Sequence, residues 1–169
     1  MSTPPRFWLM KSEPDVFSLD DLKARLPHGE LWDGVRNYQA RNFMRDAMQR
    51  GDGVLFYHSN CAVPGVVGLA RIVSEEAQPD PTQFDPASDY YDPKAKPESP
   101  RWLAAAVGYV AHFDEVVALR TIKDDAQLSE MAVAQRGQRL SIQPVEEVHF
   151  LEVCRRGGIE DPLARLREQ

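Results

Sequence analysis

Apolar and polar positions along this chain alternate between the period of a strand and the period of a helix. Arg6 to Lys11 (RFWLMK) is a compact apolar run with two aromatics and predicts a strand. Ser18 can cap a short helix, with Asp20 and Asp21 set against the positive end of its dipole. Leu19, Leu22 and Leu26 would share the buried face of that helix, and Pro27-His28-Gly29 would end it. Trp32 to Val35 predicts a short strand or a tight loop. Asn37 can cap a helix from Tyr38 to about Gln49 that buries Ala40, Phe43, Met44, Ala47 and Met48. Gly51-Asp52-Gly53 turns into a buried strand, Val54 to Tyr57. The loop 61–65 joins this strand to a second, Val66 to Ile72, as a hairpin.

The segment 78–101 differs in kind. Prolines at 79, 81, 86, 93, 97 and 100 forbid a regular helix or a central strand, so it must run over the surface. Phe84, Tyr90 and Tyr91 imply that it packs down. Trp102 to Val117 predicts a long strand, and Leu119 to Ala134 one or two short helices with Leu128 and Met131 inward. The pattern breaks over 136–143, which predicts a brief strand. Pro144 would open a last helix with Val145, Val148, Leu151 and Cys154 as its stripe, closed by Arg155-Arg156-Gly157. Beyond Gly158 the tail is expected to fray. Five or six strands interleaved with short helices favour a compact α+β domain, a curled sheet or pseudo-barrel with the helices outside.

Composition narrows the choices. With 43% hydrophobic and 9% aromatic residues, the 169-residue chain can bury one core, so a single domain over 1–169 is expected, with its core at about 6–156 and a tail at 157–169. No stretch nears the roughly 20 apolar residues of a membrane span, and Phe7 to Met10 is too short for a secretory signal. Cys61 and Cys154 make no disulfide framework, which fits a reducing, cytoplasmic setting. The net charge of −6 excludes a protein that coats nucleic acid by bulk electrostatics. Charge is nevertheless uneven. Four arginines face one acid between Arg36 and Arg50, whereas seven acids face two lysines between Ser74 and Ser99. A small basic patch on an acidic body suits a few phosphate contacts; an exposed arginine-rich helix face would look the same.

Chemistry is sparse. No Gly-rich phosphate loop, zinc-helix motif, nucleophile elbow or paired-cysteine motif is present. His28, His58, His112 and His149 are scattered, and no metal or cofactor is expected. Lys11-Ser12-Glu13-Pro14 and His58-Ser59-Asn60 each follow a strand and could supply a nucleophile and a base. Nothing fixes a triad, so no catalytic residue is assigned. The richest stretch is Trp32-Asp33-Gly34-Val35-Arg36-Asn37-Tyr38-Gln39-Ala40-Arg41-Asn42. An indole, a phenol, guanidinium groups and carboxamides together suit a site that stacks on a flat ring, reads its edge and meets an anion. A strand that buries Trp32 and leads into a solvated helix would use the same residues.

Five motifs in order carry a resemblance. They are Phe7-Trp8-Leu9-Met10-Lys11-Ser12-Glu13-Pro14, the Trp32–Asn42 stretch, Gly51 to Asn60 (GDGVLFYHSN), Tyr91-Asp92-Pro93-Lys94 and Arg139 to Val145 (RLSIQPV). Together they span about 7–155 and resemble the EVE domain family, which includes the thymocyte nuclear proteins. The resemblance implies a PUA-like fold related to RNA-binding PUA and YTH domains. It also implies a reader of a modified base in DNA or RNA, with no assigned reaction.

On that analogy Trp32 would stack on the base, and Ser12, Asn37 and Asn42 would bond its edge. Gly34, Val35, His58 and Ser59 would line the same pocket. Lys11, Arg36, Arg41 and Arg139 would meet phosphate, with Arg139 and Ser141 the weaker candidates. The partner would be nucleic acid with a modified base, no membrane is involved, and a monomer is the default. Two alternatives remain from the residues alone: an enzyme acting on a nucleotide-like ligand through Lys11, Ser12 or His58, and an adaptor using the 78–101 excursion.

Overall fold

The structure is a computed structural model that describes residues 3–168. Its centre is a six-stranded sheet in the order β2-β7-β4-β3-β1-β8, made of β1 (Phe7–Ser12), β2 (Glu30–Leu31), β3 (Gly53–His58), β4 (Gly65–Ile72), β7 (Ala106–Ala118) and β8 (Ile142–Val145). A minor pair, β5 (Gln78–Pro79) and β6 (Leu103–Ala104), lies within the excursion. Neighbours are antiparallel except β1 and β3, which run parallel with Ser12 beside His58. A parallel pair needs a crossover, and the chain from 13 to 52 supplies it. Register shifts at Phe56/Tyr57, Val66/Gly68 and Leu69/Ala70 bend the sheet, which curls into a half-barrel.

Both faces of the sheet are buried, which is why β1 and β3 read as continuous apolar runs. Phe7, Leu9, Leu55, Tyr57 and Leu69 pack on one face against α3 (Leu119–Asp124), α4 (Glu147–Arg156) and α5 (Pro162–Arg167). Trp8, Met10, Val54, Phe56 and Ala70 pack on the other, under α1 (Leu19–Lys23) and α2 (Tyr38–Asn42). The period-two alternation of β1 thus feeds two cores. Asp52 is 2% exposed yet satisfied, accepting from Trp8 Nε1 at 3.0 Å, from Arg6 N at 3.0 Å and from Gln49 N at 2.9 Å. That carboxylate ties the turn before β3 to the start of β1.

Several expectations change. Ser18 caps α1 and Asp21 completes a capping box, but the helix stops at Lys23 and Leu26 is exposed. Of the two readings of Trp32–Val35, strand or loop, the structure takes the loop: the strand is Glu30–Leu31, and 32–37 is an extended, irregular lead into α2. Asn37 caps α2, which gives way after Asn42 to one π-helical turn, Phe43–Ala47. Pro144 does not open a helix. It pairs with Trp8 in β8, an edge strand, where a residue without an N–H is tolerated. The buried stripe of α4 is His149, Phe150, Val153 and Cys154, and Val148 is exposed.

Gly157 ends α4 in a right-handed conformation, so a left-handed cap is not its role. A Cβ there would sit 2.2 Å from the Phe113 ring. The described part of the tail, to residue 168, carries α5, capped by Asp161 through Ala164 N at 3.2 Å and anchored by buried Ile159, Pro162 and Leu166.

Candidate functional site

Parallel pairing sends the ends of β1 and β3 to the same rim. Ser59 N donates to Ser12 O at 3.0 Å, and Lys11 N donates to Ser141 O at 2.8 Å, which draws in the segment before β8. The lead into α2 closes the other side. A cavity of about 960 Å³ opens between these pieces, enough space for a base and part of its sugar. Its apolar wall is Phe17, Trp32 and Val35. Ser12, Ser59 and Ser141 add hydroxyls, while Lys11 and Arg139 add positive charge.

Trp32 belongs to the core and to the cavity. It is 7% exposed, and its ring meets Phe56 and Phe17 edge to face, with centroids 5.5 and 6.5 Å apart. The indoles of Trp8 and Trp102 donate to Asp52 and Asp92, but the Trp32 N–H has no partner among the described residues. No wholly buried side-chain nitrogen or oxygen there lacks a partner, so this N–H reaches open space.

Gly34 lines the wall with φ +80, where other residues are strained, and a Cβ would lie 2.8 Å from the Tyr90 ring. Its N–H donates to Asp80 Oδ2 at 2.8 Å. Asp80, almost wholly buried, also accepts from Arg36 Nη1 at 3.0 Å and from the N–H and hydroxyl of Thr82 at 2.8 and 2.6 Å. Burial pushes its pKa up, but the bonds from Thr82, Gly34 and Arg36 outweigh it and leave the carboxyl below its usual range.

The candidate residues fall into two groups. Ser12, Trp32, Gly34, Val35, Ser59, Lys11, Arg36 and Arg139 all line the cavity; Asn37, Asn42, His58 and Arg41 do not. Arg36 is spent on the protein. Nε and Nη2 donate to Tyr90 O, Nη2 also to Thr82 Oγ1, and Nη1 to Val35 O and Asp80. It buckles the excursion to the lead into α2 and has no fork left for a phosphate. Arg41 donates to Asn42 Oδ1 and Arg101 O and lies over the Tyr38 ring, which itself stacks on Trp102 at 4.8 Å. Asn37 Oδ1 accepts from Ala40 N at 3.0 Å as the α2 cap.

His58 Nε2 accepts from Leu19 N at 3.2 Å, which puts the ring proton on Nδ1 and satisfies the start of α1. Burial lowers its pKa. Ser12 Oγ donates to Phe17 O at 2.5 Å, so Ser12 and His58 are engaged elsewhere and do not form a nucleophile–base pair. By contrast, Lys11 and Arg139 form no ion pair among the described residues, and burial lowers the Lys11 pKa. Several wall residues escaped the sequence reading, Phe17, Asp33 and Tyr90 among them. Asp33 sits inside the richest motif but was given no role there, and Tyr90 was visible only as part of a packing pair.

A curled mixed sheet with a polar-rimmed aromatic cavity at its strand ends defines a PUA-like domain. The chain belongs to the EVE domain family, whose sequence profile matches residues 6–156. Mouse (Mus musculus) thymocyte nuclear protein 1 is 44% identical over 161 residues, covering 85% of this chain and 70% of the relative. A crystal structure of a Pseudomonas syringae protein matches with a TM-score of 0.83 and 46% identity, covering 89% of this chain and 99% of that one. The crystal structure of human THYN1 protein in complex with 5-methylcytosine containing DNA matches with a TM-score of 0.77 and 38% identity, covering 97% of this chain and 99% of that one.

Among the described residues no helix is long and apolar enough to cross a membrane, and no group of three or more His, Cys, Asp and Glu could hold a metal ion.

Proposed function

We propose that this chain is a nucleic-acid-binding module that reads a modified base held in the cavity beside Trp32. One observation carries the reading: the cavity joins an aromatic wall to free cations, in a fold shared across 97% of the chain with a protein seen on 5-methylcytosine DNA. Phe17 and Trp32 enclose the ring, and Gly34 and Val35 let the backbone come close to it. Ser12 and Ser59 bond polar atoms of the base. Lys11 and Arg139 meet the phosphates, which supply affinity without sequence information.

Arg36, Arg41, Asn37, Asn42 and His58 support the pocket by fixing the loops around it. An acidic chain gains little from bulk attraction, so selectivity must come from the pocket. The chain acts in the cytoplasm, in keeping with two unpaired thiols, Cys61 and Cys154. The test is a binding screen of oligonucleotides carrying 5-methylcytosine, 5-hydroxymethylcytosine or N6-methyladenine against unmodified controls. A clear preference for one supports the reading; equal, weak binding of all overturns it.

A further inference from the structure

The cavity wall holds three acids, Glu13, Glu30 and Asp33. Two are engaged. Glu13 accepts from Asn60 Nδ2 at 3.1 Å, and Glu30 accepts from Arg25 Nε at 2.5 Å. Asp33 accepts no hydrogen bond from any other described residue, although its own N–H is anchored on Leu31 O at 2.9 Å. Burial, then the nearby charges of Asp80 and Glu30, push the Asp33 pKa up, and Arg36 and the backbone N–H of Asp33 itself only partly offset them. Arg36 cannot serve as its partner, because its N–H groups are taken by Tyr90, Thr82, Val35 and Asp80. A carboxylate kept near two like charges without a partner gains nothing for the fold. The next residue back, Trp32, presents the one indole N–H without a partner among the described residues.

Both residues line the cavity: Asp33 has a carboxylate that no other described residue engages, and Trp32 an indole N–H without a partner among them. The pairing edges of bases divide on this point. Cytosine and adenine present an exocyclic amine, a donor, beside a ring nitrogen that accepts. Thymine and uracil present a carbonyl, an acceptor, beside a ring N–H that donates. A carboxylate attracts the amine and repels the carbonyl. We infer that Asp33, together with the Trp32 N–H, makes the cavity selective for a cytosine- or adenine-type edge, an amine beside an accepting ring nitrogen, over thymine and uracil. This inference rests on the base-reading function proposed above.

5-Methylcytosine and thymine make the decisive pair. They carry the same methyl group and differ in the amine-for-carbonyl exchange at C4, with the ring-nitrogen proton that follows. Affinities for two oligonucleotides differing only at that base are measured with the wild-type protein and with Asp33→Asn. The carboxamide has nearly the same shape but both donates and accepts, and Asp33 is exposed enough for the variant to fold. Wild-type protein is expected to prefer 5-methylcytosine by roughly ten- to a hundred-fold, the worth of one well-placed edge contact. Asp33→Asn is expected to bring the two affinities within about threefold of each other while leaving the melting temperature no lower.

Retention of the wild-type preference in Asp33→Asn overturns the role of Asp33. Equal wild-type affinity for 5-methylcytosine and thymine, both above an unmodified control, overturns the selectivity while leaving modified-base reading intact. Wild-type binding no better than the unmodified control removes the base-reading function, and this inference falls with it.

Discussion

Trp32 packs its ring in the core and lines the cavity, with its N–H left unpartnered among the described residues, and the packing and the proposed contact separate by substitution. Removing the whole side chain takes a buried indole from between Phe17 and Phe56, so Trp32→Ala should destabilise the fold by about 3–5 kcal/mol. Trp32→Phe keeps a ring in place and deletes the donor. It should lower affinity for a modified oligonucleotide by about 1 kcal/mol, read by titration, with cooperative melting preserved. Unchanged affinity would leave Trp32 a core residue alone.

Asp33 offers a second check at this scale. Its pKa is raised in the fold, so its charge costs stability at neutral pH, and that cost is relieved as pH falls through the raised value. Thermal melts at pH 7 should therefore show Asp33→Asn as stable as the wild type or more so. A clear drop would reveal a structural partner for the carboxylate.

Among elements, the lead into α2 and the excursion are joined by one buried clamp, Asp80. It holds Gly34 and Arg36 on one side and Thr82 on the other. Asp80→Ala leaves Arg36 without its ion-pair partner and should cost about 3 kcal/mol, loosening the cavity wall as well. The Asp80 pKa lies below its usual value, so its contribution is whole above the unfolded pKa and is lost as pH falls through the folded one.

His58 works at the start of α1 in the same pH direction for a different reason. Its folded pKa is lowered by burial, and the neutral ring is the acceptor for Leu19 N. Stability should decline as pH drops from the ordinary histidine pKa, near 6.5, towards the lower folded value. His58→Gln, which keeps an acceptor without titrating in this range, should flatten that slope in melts between pH 7 and pH 5. An unchanged slope would remove His58 as its source.

At the level of the molecule, much of the fold was legible because strands and helices carry local periods. The apolar runs of β1, β3 and β4, the Ser18 and Asn37 caps and the proline-rich excursion all lie in short windows of sequence. What escaped depends on partners distant in the chain. Pro144 reads as a helix opener until Trp8 is beside it. Arg36 and Arg41 read as phosphate ligands because the groups that occupy them, Asp80, Tyr90 and Arg101, lie at least 44 positions away. Asp33 passed unnoticed because its significance is the lack of a partner, which no pattern displays. The strand-end position of Ser12 and Ser59 was legible, whereas the pairing that joins them to Lys11 and Ser141 was not.

The free cations set the salt dependence of the whole protein. Lys11→Gln and Arg139→Gln should each reduce the slope of log affinity against log salt by about 0.7–0.9, whereas Arg36→Gln should leave it unchanged. The most direct test of modified-base reading is the affinity difference between two oligonucleotides identical but for the methyl group at C5 of one cytosine. Burying that methyl in an apolar wall is worth about 0.8 kcal/mol, so the methylated strand should bind about fourfold tighter or more at physiological salt. Equal affinities for the two strands, together with equal affinities across the other modified bases, would contradict the assignment of the cavity.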